Sequence, residues 1–377
     1  MTQRQASITR RPSNLDQIAN FERGVSGTFE RGVSAGFNRA HSDEAEEDNV
    51  GEAYALVGHD DGRIQLIDLA TGNEMKLFDG HKDYITCLDL HWPKEAVSAA
   101  ADGTIFHWNL EDGSGVELTP PEELLITCVR SLTADWNEKR LAVSGNDDGY
   151  FVIWDLATHQ SQKVLSCKVG MIFSICADWT KMRMLVGHGD NDLDLLSLKD
   201  GSRLKAYPVK HYLVTVIDVC WPKARALIGF DNGVLQIWGL PMAASQSSLK
   251  GHKGTITALS VQWKLKRAIS GSQDKSVRLW NIQRSECIRI VSGHLTGLRS
   301  LCVDWDLGVA LSSAWDGEMQ LWEIADEVDV DSTMQPVGGE VRAGAIALLT
   351  VKEAKDENSE EEAEEIVADT RDAFKLN

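Results

Sequence analysis

The sequence predicts an all-β fold: a seven-bladed β-propeller of four-stranded antiparallel blades, its ring closed by a C-terminal strand added to the first blade. Three observations carry that prediction. A residue pair closes seven successive segments: Ile67-Asp68, Trp108-Asn109, Trp154-Asp155, Leu196-Ser197, Trp238-Gly239, Trp280-Asn281 and Trp322-Glu323. The steps between the second members are 41, 46, 42, 42, 42 and 42 residues, a period that belongs to propeller blades. Each segment also reads as short runs of strand formers separated by tight turns. Finally, a run near the C-terminus resembles the one strand that the first segment lacks.

Ahead of the repeats, residues 1–51 have no strand pattern and carry eight acids and six bases. A short tandem unit (FERGVSGT, FERGVSAG, FNRAHSDE) sets a serine three residues after an arginine at Arg23/Ser26, Arg31/Ser34 and Arg39/Ser42. Arg4/Ser7 and Arg10/Ser13 precede it with the same spacing. Arg-x-x-Ser resembles the substrate pattern of basophilic protein kinases. Ser7, Ser13, Ser26, Ser34 and Ser42 are therefore candidate phosphorylation sites, and a protein kinase is a candidate partner. Each phosphate adds nearly two negative charges. The plainer reading is a flexible glycine- and serine-rich lead. The start lacks the apolar run of a secretory signal, and Asp16, Glu22 and Glu30 break a transit-peptide pattern.

Residues 52–351 form the propeller. Its sixth repeat, GHKGTITALSVQWKLKRAISGSQDKSVRLWNIQRSECIRIV, is the clearest. ITALSVQ, AISGS, SVRLWNI and ECIRIV give four strands, and KLKR and Gln273-Asp274-Lys275 turn the chain between them. One such sheet cannot cover both faces alone. Stacking sheets around a ring buries both and leaves only short edges.

Three repeats carry one polar set: His81, Ser98, Asp102 and Trp108; His252, Ser270, Asp274 and Trp280; His294, Ser312, Asp316 and Trp322. A buried indole N–H needs an acceptor, which a serine hydroxyl supplies while donating onward. This pattern resembles the WD-repeat propeller family over about 300 residues. The resemblance implies a histidine relay to a turn aspartate, and partner peptides bound on the face of the Gly-His loops. The third repeat keeps Ser144, Asp148 and Trp154 without a histidine, and the fifth has Ile228 in the serine slot. In the first and fourth, Ile67 and Leu196 replace tryptophan. His59 and His188, just before their turns, are expected to be exposed.

Six further tryptophans, Trp92, Trp136, Trp179, Trp221, Trp263 and Trp305, each close the first strand of a blade. They are read as packing on the face opposite the Gly-His loops. EAYALVGHDDGRIQLID matches the second and third strands of a repeat, whereas GGEVRAGAIALLTVKE resembles GHKGTITALSVQW. Residues 345–351 are therefore expected to supply the innermost strand of the first blade, and residues 331–336 the outer strand of the seventh. Residues 352–377 hold ten acids and four bases and form an acidic tail.

Net charge is −19, of which −11 remains on the propeller. That field disfavours nucleic acid and acidic membrane and favours proteins with basic or mixed-charge peptides. No apolar run is long enough to span a bilayer. Seven cysteines without a Cys-x-x-Cys suggest neither zinc nor a disulfide ladder and point to a reduced compartment, cytoplasmic or nuclear. DNDLDLLSLKDG at 190–201 fails as a calcium loop, with Leu195 where glycine is required. No catalytic, cofactor-binding or metal-ligating residue is assigned.

The residue before each turn aspartate should face a partner, which singles out Trp315, Asp60, Asp147 and Asp231. Tyr84, Met171 and Leu213 extend the surface. Trp315 in a polar turn has no obvious folding role; the competing reading folds it over a neighbouring loop. The expected function is a non-catalytic scaffold, a monomeric propeller within a larger complex. The alternatives are an acidic carrier of basic proteins, of histone or ribosomal type, and an enzyme built on a propeller.

Overall fold

The computed structural model describes residues 53–350 apart from 70, 123, 167–169, 191, 210, 211, 307 and 325–344. The Arg-x-x-Ser serines, Cys167, His211, residues 331–336 and the acidic tail lie outside the described residues. Seven sheets are present, six of four strands and one, the seventh blade, of three described strands. Every pairing between adjacent strands of a blade is antiparallel. Blade six shows the plan: inner strand Ile256–Gln262, then Arg267–Ser272, Ser276–Asn281 and outer strand Glu286–Ser292. Among the described residues no helix is long and apolar enough to cross a membrane.

Ring closure follows the sequence expectation. Ala345–Thr350 lies antiparallel on Ala53–Gly58, from Ala53↔Thr350 to Gly58↔Ala345, as the inner strand of the first blade. The hydrophobic core is divided into seven clusters, each between consecutive blades. Leu141, Val143 and Phe151 of blade three, for example, meet Ile172 and Met184 of blade four. At the closing seam Ala55, Val57 and Ile67 meet Leu311 and Met319. Apolar burial thus holds neighbours together rather than each sheet alone.

Two local features position the faces. Between inner and second strands the register slips by one residue in six blades. The extra residues are Thr86, Arg130, Phe173, Thr215, Thr257 and Arg299, and a bulge of this kind re-aims its side chain. In the turns between second and third strands of blades one, two and five a left-handed glycine lets the next blade's loop come close. A Cβ on Gly103, at φ 84°, would lie 2.1 Å from the Ile126 carbonyl oxygen.

Candidate functional site

The three polar sets assemble to different degrees. In blade six Trp280 Nε1–H donates to Ser270 Oγ (2.8 Å), which contacts His252 Nε2 (2.8 Å). His252 Nδ1 in turn lies 3.0 Å from Asp274. The carboxylate also accepts from Lys253 N and Ser276 Oγ. Burial raises its pKa, but these bonds outweigh that and hold it at about 2. Burial conversely lowers the His252 pKa, so the ring is neutral and the indole, hydroxyl and imidazole form one satisfied chain.

Blade two inserts a hydroxyl: His81 Nδ1 meets Thr104 Oγ1 (2.6 Å), which donates to Asp102 (2.6 Å). The direct His81–Asp102 separation is 3.9 Å. In blade seven the chain stops at the histidine. His294 Nε2 and Trp322 Nε1 both reach Ser312 Oγ at 2.7 Å, yet His294 Nδ1 has no partner. The cause is local: two residues after the turn aspartate stand Thr104 and Ser276, which carry a hydroxyl, but Glu318 in blade seven. Burial lowers the pKa of His81 to about 4 and lowers that of His294.

The divergent blades improvise. Trp154 Nε1 donates to Ser144 Oγ (2.8 Å). Where Ile228 fills the serine slot, Trp238 Nε1 turns to Gln236 Oε1 (3.0 Å) instead. Blade four corrects the expectation for His188, which is fully buried: its Nε2 lies 3.2 Å from the buried Asp194 carboxylate, and Arg203 bonds that carboxylate at 2.7 Å. A polar trio of His188, Asp194 and Arg203 is found in this blade, whose tryptophan slot holds Leu196. His59 is half-buried against Gln65 (3.1 Å).

The second tryptophan series packs against the inter-blade cores, and four of its members also bond to the blade before. Trp136 donates to Asp89 (3.0 Å), Trp263 to Asp218 (2.8 Å), Trp305 to Ser260 (3.0 Å) and Trp221 to the Ala177 carbonyl (3.0 Å). Burial raises both carboxyls, Asp218 to about 6. Sequence reasoning missed these acceptors. For the three side-chain acceptors the available signal was the polar residue three places before the corresponding tryptophan of the preceding blade.

On the Gly-His face the structure brings together Trp315, Tyr84 and Asp60 through a residue that sequence reasoning overlooked. The Arg299 guanidinium lies 5.0 Å from the Trp315 ring and 5.3 Å from the Tyr84 ring, and pairs with Asp60. Arg299 occupies a bulge position, so blades seven, one and two meet at it. Trp315 remains 46% exposed and the Asp60 side chain 68%. The other named residues sit apart. Asp147 takes a forked pair from Arg130 (2.7 and 3.2 Å). Asp231 accepts from Leu213 N (3.1 Å), burial raises its pKa, and Leu213 is buried. Met171 is half-buried, its carbonyl bonded to Gly189 N. Among the described residues no group of three or more His, Cys, Asp or Glu is placed to hold a metal ion.

Seven sheets stacked on apolar seams, four of them braced internally by a buried indole–hydroxyl bond, define a β-propeller scaffold of the kind that presents loops to protein partners. The sequence profile of the WD domain, G-beta repeat, matches residues 72–109, 244–281 and 285–323, which end on Asn109, Asn281 and Glu323 after the three repeats that hold histidine, serine, aspartate and tryptophan together. Three segments of this propeller thus carry the WD-repeat pattern. It is similar to the U3 snoRNP-associated protein-like EMB2271 of Arabidopsis thaliana, 22% identical over 148 residues, 35% of this chain and 31% of that protein. The chain thus spans about a third of the length of this curated relative. The crystal structure of a computationally designed protein, Ika8, shares the fold at TM-score 0.56 and 22% identity, covering 74% of this chain and 98% of that one.

Proposed function

We propose that this protein is a non-catalytic scaffold that gathers partner proteins on its Gly-His face, with the Trp315–Arg299–Tyr84–Asp60 cluster as the anchor. The observation that carries this reading is an indole in contact with a guanidinium yet nearly half open to solvent, beside an exposed carboxylate. Exposed aromatic anchors of this sort concentrate binding energy at interfaces. The free face of Trp315 and the outer edge of Asp60 suit a basic or mixed-charge peptide. Trp315→Ala should leave the unfolding midpoint nearly unchanged while weakening partner recovery in affinity purification from the native cell. A large stability loss assigns the residue to packing instead. The same pull-down tests the arm: phosphate on Ser7, Ser13, Ser26, Ser34 or Ser42 by mass spectrometry supports a kinase-regulated arm, and unmodified serines at all five end that part. We place this work in the cytoplasm or nucleus.

A second reading is favoured by the acidity of the chain together with a relative named as snoRNP-associated. In it the partners are basic proteins of ribonucleoprotein assemblies, carried by charge rather than by an anchor. Release of partners at moderate salt, unaffected by Trp315→Ala, favours the carrier; salt-resistant, Trp315-dependent recovery favours the anchored scaffold.

A further inference from the structure

The fold carries a second polar cluster, far from the Gly-His loops. Blade two ends in a short outer strand, Gly115–Glu117, whereas the others that are described run five to seven residues. The shortfall leaves a cleft of about 530 Å³ against blade three, lined by Lys94, Glu95, His107, Glu111, Arg140 and His159 among others. Glu95 Oε2 accepts from Arg140 Nη2 (2.6 Å) and from His107 Nε2 (2.8 Å). On the other side of the same imidazole, His107 Nδ1 lies 3.0 Å from His159 Nε2. His159 sits at φ 56° in the turn before the blade-three outer strand, and its carbonyl accepts from Thr119 N (2.9 Å).

Hydrogen placement follows from the partners. Burial opposes ionisation of Glu95, but the Arg140 and His107 bonds outweigh it and keep the carboxylate charged. His107 therefore donates from Nε2, which leaves its Nδ1 a lone pair when neutral, and His159 must donate from Nε2. The contact accommodates one hydrogen between the two nitrogens. When each ring takes a second proton from water, two N–H groups and two positive charges face each other, and the contact cannot persist. The charged groups bearing on the pair are Glu95 and Lys94 from the second strand of blade two, Glu111 beyond its third strand, and Arg140 from blade three.

We propose that the His107–His159 contact is a proton-operated latch: closed by one shared hydrogen at neutral pH, it opens the cleft between blades two and three when both imidazoles are charged. Burial lowers the His107 pKa and Glu95 offsets this only in part, so the charged His107 that opening requires forms below the ordinary imidazole range.

Two measurements on the full chain decide it. Imidazole nitrogen chemical shifts at pH 7.5 should show His107 protonated at Nε2 with a bare Nδ1; the opposite tautomer overturns the proposal. Amide hydrogen exchange, corrected for the intrinsic pH effect, should show peptides over 115–119 and 159–162 losing about tenfold protection from pH 7.5 to pH 5, the loss of roughly one buried hydrogen bond. His159→Gln, which cannot charge, should abolish that pH dependence. Unchanged protection in the wild type, or the same loss in the variant, sinks the latch; the tautomer measurement needs no variant and stands even if His159→Gln folds poorly.

Discussion

Replacing Asp218 by asparagine separates the charge of the inter-blade belt from its geometry. Asp218 lies on the inner strand of blade five, Val214–Cys220, and accepts from Trp263 Nε1 of blade six and from Val261 N. Burial raises its pKa from 3.8 to about 6. Because the folded carboxyl titrates above the unfolded one, its contribution to stability is fully present below pH 3.8 and is lost as pH rises through about 6. Above that, ionised Asp218 costs the native state about 3 kcal/mol, at ~1.4 kcal/mol per pKa unit. Asparagine keeps the oxygen facing the indole but offers Val261 N no second acceptor, a loss that is constant with pH. The pH-dependent part of the difference between the two proteins therefore isolates the charge. Wild type should lose about 1.4 kcal/mol relative to Asp218→Asn between pH 5 and pH 7.5. Urea unfolding of both proteins across that range measures it. A difference flat to within a few tenths of a kcal/mol would refute the raised pKa and the reading of the belt as partly charged.

Three further outcomes are expected. Ser270→Ala, read by urea unfolding, should cost about 2–5 kcal/mol because it strips both Trp280 and His252 of a buried partner; Ser312→Ala should cost less, since its histidine already lacks a second bond. Burial lowers the pKa of His81 to about 4, so that histidine's contribution is present above pH 6.5 and is lost as pH falls toward 4, roughly 3 kcal/mol in all. Thermal unfolding should show a marked fall in midpoint over that interval, and a constant midpoint contradicts it. A chain ending near residue 325 lacks the strand paired with Ala53–Gly58 and should lose cooperative melting by circular dichroism.

The fold was legible because one physical requirement repeats. A buried indole demands an acceptor at fixed distance along the sheet, so Trp108, Trp280 and Trp322 announce Ser98, Ser270 and Ser312 ten residues earlier, and the blades follow. Closure was legible because residues 345–350 resemble an inner strand and the first repeat lacks one. What stayed hidden depends on contacts between distant repeats. Arg299 reads as an ordinary strand residue until a bulge turns it toward Tyr84, Asp60 and Trp315. His188 reads as an exposed residue beside its turn, because nothing local says that it will meet the buried Asp194 carboxylate that Arg203 also bonds. The failure of Asp316 to reach His294 was readable in principle, from Glu318 standing where Thr104 and Ser276 supply a hydroxyl.

The pairing of the rim acids changes how the charge of the propeller acts. Counted from sequence, Asp60, Asp147 and Asp231 make an acidic rim; in the structure Arg299 and Arg130 answer the first two, and burial raises the pKa of the third. The net −11 of the propeller acts over a Debye length and so bears on the encounter with a partner of the opposite charge, such as the one proposed. It gives little of the short-range selectivity, because a partner's arginine at Asp60 must share a carboxylate already bound. Trp315 keeps 46% of its surface exposed beside Arg299, and that apolar area is not subject to the same competition. Affinity at this seam should therefore follow the aromatic contact and survive salt, while the rate of association should fall with it. That split between rate and residence distinguishes an anchored scaffold from a charge-driven carrier on the same acidic surface.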